Sequence, residues 1–83
     1  MLLLAQQECV LCDQAKELLS RLEAQYPLDV ETVDFSSAQG FELAKSGRIL
    51  FPPGIFLDGQ PFSYGRPSER KLRREIDAVH RHR

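Results

Sequence analysis

LLLAQQECVLCDQAKELLSRL, residues 2–22, is the stretch whose reading decides the fold. Leu2 to Ala5 is a short apolar run closed by polar residues, the pattern of a buried strand. Gln6, Gln7 and Glu8 form a polar turn. Beyond them Ala15, Leu18, Leu19 and Leu22, continued by Tyr26, recur at intervals of three and four, with Lys16, Glu17, Arg21 and Glu23 on the opposite face. That is the stripe of an amphipathic helix lying on a core. Tyr26-Pro27 sets its expected end, because the residue before a proline is pushed out of helical geometry.

Cys9-Val10-Leu11-Cys12 falls where the strand hands over to the helix. The spacing places Cys9 at the helix N-terminus and Cys12 one turn inside. The first amides of a helix lack intrahelical acceptors, and the helix end carries partial positive charge. A Cys9 thiolate is therefore expected to titrate below the free-thiol value of about 8.5. Cys12, deeper in the core, is expected to stay protonated until used, since burial disfavours a charge. A bridge between the two closes a very short loop and stabilises the fold weakly. Redox work or metal binding suits the pair better than scaffolding.

The remaining chain supplies a small α/β frame. Leu28 to Val33 reads as a second strand, with Leu28, Val30 and Thr32 alternating against Asp29 and Glu31. Asp34 to Ser37 is a loop with capping residues. A short helix is expected over 38–45, with Phe41 and Ala44 inward and Gly47 as its stop. Pro52-Pro53-Gly54 leads into a strand at Ile55-Phe56-Leu57. Asp58-Gly59 is a strong two-residue hairpin signal. Gln60 to Tyr64 then returns as an edge strand, where Pro61 is tolerated. A last helix is expected over 67–79, with Pro67 in its first turn, Leu72, Ile76 and Val79 inward, and Glu69 and Arg73 at a supportive spacing. The order β-α-β-α-β-β-α predicts one domain over residues 1–83, with a four-stranded mixed sheet whose first β-α-β unit is parallel and right-handed.

Bulk properties narrow the function. Eleven basic and 12 acidic residues among 83 leave a formal net charge of −1, which argues against a nucleic-acid binder. The basic exception is the stretch from Arg66 to Arg83. The apolar start ends after Ala5, short of the roughly 7–15 residues of a secretory leader and the roughly 20 of a membrane span. A monomer in the cytoplasm is the expectation, where paired thiols are catalytic, redox-sensing or metal-bound. One metal alternative stands open: zinc held by Cys9, Cys12, His80 and His82, although His80-Arg81-His82 is closer-spaced than the usual histidine pair. A redox-inactive interaction module is another alternative.

The helix-opening Cys9-x-x-Cys12, the later Pro53-Gly54-Ile55-Phe56-Leu57-Asp58-Gly59 and the final amphipathic helix together resemble the glutaredoxin-like branch of the thioredoxin superfamily. The likeness covers about Leu2 to Val79 and rests on the order and spacing of short motifs. Tyr64-Gly65-Arg66-Pro67-Ser68 before a helix resembles the small bacterial glutaredoxin-like proteins rather than the glutathione-using enzymes. The resemblance implies a thioredoxin-like, glutaredoxin-type fold. It also implies a dithiol–disulfide oxidoreductase that reduces protein or small-molecule disulfides, without metal or cofactor, through attack by Cys9 and resolution by Cys12. A cis-proline facing the thiols is implied at Pro53, with Pro52 as the alternative. Val10, Leu11, Pro52, Pro53 and Gly65 would line the substrate. Val10 and Leu11 replace the proline and tyrosine usual between such cysteines, Glu8 replaces a lysine, and Arg66 replaces an acidic residue that holds glutathione. A reductase or another thiol is therefore as fitting a reductant as glutathione.

Overall fold

The computed structural model describes residues 1–81. Its elements are β1 (Leu2–Ala5), α1 (Val10–Glu23), β2 (Glu31–Asp34), α2 (Ala38–Gly47), β3 (Gly54–Leu57), β4 (Gln60–Tyr64) and α3 (Glu69–Arg81). The four strands make one mixed sheet in the order β2-β1-β3-β4. β2 runs parallel to β1 (Leu2 opposite Glu31), while β3 is antiparallel to β1 (Leu4 opposite Gly54) and to β4 (Gly54 opposite Tyr64).

Both faces of β1 are buried, which explains its unbroken apolar run. Successive side chains of a strand point to opposite faces. Leu3 and Ala5 join Ile55, the α1 residues Cys12, Ala15, Leu18, Leu19 and Leu22, and the α3 residues Leu72 and Ile76 in one core cluster. Leu4 joins Val33, Ala44, Ile49 and Phe56 in a second cluster beneath α2. Helices α1 and α3 thus cover one face and α2 the other. An ion-pair network ties the two neighbouring helices at their surface. Glu69 accepts from Arg21 and from Arg73, both at 2.9 Å, and Arg73 also donates to Gln25 at 2.7 Å. The Arg73 hydrogen bond first, and that of Arg21 second, hold the Glu69 carboxyl below its ordinary range. The same partner raises Arg73.

Five expectations about element ends and faces are corrected. α1 stops at Glu23 rather than at Tyr26, because Gln25 and Tyr26 both donate to the Leu22 carbonyl and the chain tightens into a turn before Pro27. β2 starts at Glu31, and Thr32 is exposed on this outermost strand. The buried residue is Val33, on the opposite face from Leu28 and Val30, which pack against the first cluster. Phe41 does not point inward. It is 63% exposed, and α2 turns Gly40, Leu43 and Ala44 to the sheet instead. The cause is a close approach: a Cβ at Gly40 would stand 2.0 Å from the Asp34 carbonyl oxygen. Gly47 is the last residue of α2 rather than its stop, and Arg48 takes the left-handed cap at φ 56°. Pro67 lies outside α3. Ser68 caps that helix, its hydroxyl accepting from the Lys71 amide at 3.3 Å.

The hairpin forms as its sequence predicts. Asp58 and Gly59 both adopt positive φ, 49° and 80°, as a two-residue turn of this kind requires.

Candidate active site

The end of β1 delivers Gln6, Gln7 and Glu8 to the start of α1. Glu8 holds a left-handed backbone, φ 54°, immediately before Cys9. Sparsely populated backbone conformations of this kind concentrate at functional sites, and no feature of the sequence signals this one. Cys9 is the N-cap of α1 in extended geometry, φ −127° and ψ 106°. Its Sγ accepts the Cys12 amide at 3.1 Å, and its carbonyl accepts the Asp13 amide at 3.0 Å. Serine or aspartate oxygen commonly fills this cap. Here sulfur does, accepting one of the helix-end amides that lack an intrahelical partner.

Cys9 and Cys12 form a disulfide across a Cα separation of 5.1 Å, inside the range a bridge allows. The two sulfurs differ in surroundings. Cys12 has no exposed surface and belongs to the core cluster with Leu3, Ala15 and Leu19. Cys9 is half-buried, packs on the edge of that cluster and keeps access to solvent.

A second wall comes from the loop before β3. The antiparallel register sets Leu4, Gly54 and Tyr64 in one row across β1, β3 and β4, at the end of the sheet from which the Cys9 turn departs. Pro53 and Gly65 continue this row outward, and the Pro53 carbonyl accepts the Gly65 amide at 2.8 Å. The peptide bond between Pro52 and Pro53 is cis, which selects Pro53 from the two candidates. Pro53 is buried and Pro52 half-buried. Gly65 takes φ 77°, and a Cβ there would meet the Phe51 ring at 2.8 Å. The Phe51 ring lies against the chain at Gly65 and edge-on to Tyr64, with ring centroids 5.1 Å apart.

Of the residues expected to line a substrate, Val10 is exposed, Leu11 half-buried and Gly65 buried beneath Phe51. The structure leaves the Phe51 ring half exposed, braced by Tyr64 and Gly65. The large apolar side chains exposed among the described residues are Val10, Phe41, Leu50, Phe51 and Tyr64. Val10 follows Cys9, Leu50 and Phe51 precede the proline pair, and Tyr64 ends β4. Phe41 stands in the first turn of α2, which starts from the same end of β2. Their shared location follows from strand order and had no signal in the sequence.

Among the described residues, no group of three or more histidine, cysteine or acidic side chains is placed to hold a metal ion. His82 and the side chain of His80, the remaining members of the zinc alternative, lie outside the described residues. No helix among those residues is long and apolar enough to cross a membrane. Comparison with protein-family models, with curated proteins and with solved structures finds no match.

Proposed function

We propose that this chain is a small thiol–disulfide oxidoreductase of thioredoxin-like, glutaredoxin-type fold, acting on disulfides in a reducing compartment such as the cytoplasm. The observation that carries the reading is the asymmetry of the pair: Cys9 is only half-buried and its sulfur accepts a helix-end amide, while Cys12, bonded to it, is wholly buried.

In the reduced protein, the Cys9 thiolate attacks one sulfur of a substrate disulfide. A Cys9–substrate bond forms, the substrate S–S bond breaks, and the departing thiolate takes a proton from solvent. Cys12 then loses its proton and attacks Cys9 Sγ. The mixed disulfide breaks, the second substrate thiol leaves, and the Cys9–Cys12 bridge forms. Two electrons have passed from the pair to the substrate. A thiol reductant or a reductase returns them, opening the bridge for another cycle.

The local residues support each step. Amide donation to Cys9 favours its thiolate, and the apolar packing around Cys12 keeps that thiol neutral until Cys9 is occupied. The buried Pro53, at the end of the sheet from which the Cys9 turn departs, presents no N–H, and its carbonyl is already engaged by Gly65.

The test is disulfide reduction by the Cys9→Ser and Cys12→Ser variants. Cys9→Ser falls to the uncatalysed background. Cys12→Ser accumulates a mixed disulfide detectable by intact mass. Iodoacetamide trapping of the reduced protein finds Cys9 modified first, with an apparent pKa below the free value of about 8.5. Undiminished turnover in both variants would refute the reading.

A further inference from the structure

An open groove of ≈ 430 Å³ lies between β4 and α3. Phe62 and Tyr64 contribute from β4, Arg66 from the connection, and Lys71, Arg74 and Glu75 from α3. Three cations against one acid give it a local charge of +2 in a chain of net charge −1. Arg66, Lys71 and Arg74 are exposed, and among the described residues none has a carboxylate partner. The contrast with Arg73 on the same helix is sharp, since that guanidinium is spent on Glu69 and Gln25.

Two features of the groove point to its occupant. First, β4 is an outer strand of the sheet, and such a strand offers unpaired main-chain groups to an extended chain. Second, the groove includes Tyr64, whose ring meets Phe51 at the end of the sheet that carries Cys9 and Pro53. A ligand lying along it would reach toward the thiols. Polypeptides carry disulfides and nucleic acids do not, so the cations fit carboxylates better than phosphodiesters in this position.

We propose that this groove docks an acidic, extended segment of a disulfide-bearing protein substrate, with Arg66, Lys71 and Arg74 as its specificity-determining residues. The proposal rests on the reading of Cys9 and Cys12 as a redox pair and names the substrate class for it. The cations act on encounter and binding of the flanking segment, leaving the exchange chemistry to the two sulfurs.

The experiment uses the full chain, a small dithiol as electron donor with its uncatalysed reduction subtracted, and two peptides with the same internal disulfide. One carries a flanking run of Glu and Asp, the other Gln and Asn in the same places. At low ionic strength, kcat/KM for the acidic peptide exceeds that of the neutral one by about tenfold, through KM, and the preference fades as salt screens it. The R66Q/K71Q/R74Q variant loses the preference and keeps wild-type turnover of the neutral peptide. A cysteine-free acidic peptide, followed by fluorescence anisotropy, binds the wild type and not the variant. Equal turnover of the two peptides, or a preference that survives the triple substitution, overturns the groove and leaves the redox reading standing. Binding of the cysteine-free peptide with no turnover of either disulfide refutes the redox reading and leaves the groove. Displacement of the acidic peptide by oxidised glutathione, or by a single-stranded oligonucleotide, as effectively as by its unlabelled self overturns the assignment to a protein segment.

Discussion

At the scale of single residues, the site depends on positions where the backbone does what side chains would obstruct. Gly65 sits at φ 77° with the Phe51 ring where its Cβ would go. An L-residue in that conformation costs roughly 1–2 kcal/mol. Gly65→Ala is therefore expected to lower stability by about that amount in urea denaturation, and to displace the ring enough to break its edge contact with Tyr64. Repeating Gly65→Ala in a Phe51→Ala background, with Phe51→Ala alone as its reference, removes the clash with the ring and leaves the backbone cost. Relative to Phe51→Ala, the double variant should still lose part, but not all, of what Gly65→Ala costs in the wild type. The absence of any such loss would show that the left-handed backbone costs nothing here. Gly40 works differently, since its backbone is helical and its small size lets α2 reach the end of β2.

Among the elements, α1 and α3 pack on the same face of the sheet, and Glu69 is the surface link between them. Its carboxyl titrates below its ordinary value of 4.5, chiefly because Arg73 donates to it and then because Arg21 does. A depressed pKa in the folded state stabilises that state above the unfolded value, and the contribution disappears as pH falls through the folded value. Glu69→Gln should therefore melt below the wild type near neutrality. The difference should shrink once the pH drops well under 4.5. Since the pair is solvent-exposed, the effect is small and declines with added salt. A gap that stays constant across this range would assign the loss to packing instead of charge. Element ends obey similar local chemistry. Ser37 caps α2 through the Gly40 amide at 2.9 Å, and Ser68 does the same for α3 through the Lys71 amide.

Over the whole molecule, stability rests on two thin clusters split by one sheet. Leu72 is 1% exposed and, with Ile76, anchors α3 to the larger cluster. Leu72→Ala should cost about 2–5 kcal/mol, a large part of the roughly 4–12 kcal/mol available to a domain this small. Urea unfolding would show it as a lower midpoint with an unchanged slope. Leu50→Ala is the matched control. That side chain is 74% exposed, and its removal should change stability by less than about 0.5 kcal/mol. Similar losses in both variants would mean that the core assignment is wrong.

Local chemistry was legible in the residues. The unbroken apolar run of β1, the three-and-four spacing of α1, the Asp58-Gly59 turn and the Glu69–Arg73 pair each follow from forces acting within a few positions of one chain. So does the placement of Cys9 at a helix start with Cys12 a turn behind, since strand, turn and helix are consecutive. Long-range packing decided the rest. The order β2-β1-β3-β4 brought Pro53, Tyr64 and Gly65 to the thiol end of the sheet. The approach of α2 to the Asp34 carbonyl turned Gly40 inward and Phe41 out. The groove of Arg66, Lys71 and Arg74 exists because α3 lies beside an outer strand. Periodicity within a segment encodes which side chains share a face. Which faces then meet depends on contacts between distant segments, and neither residue pattern alone contains that pairing.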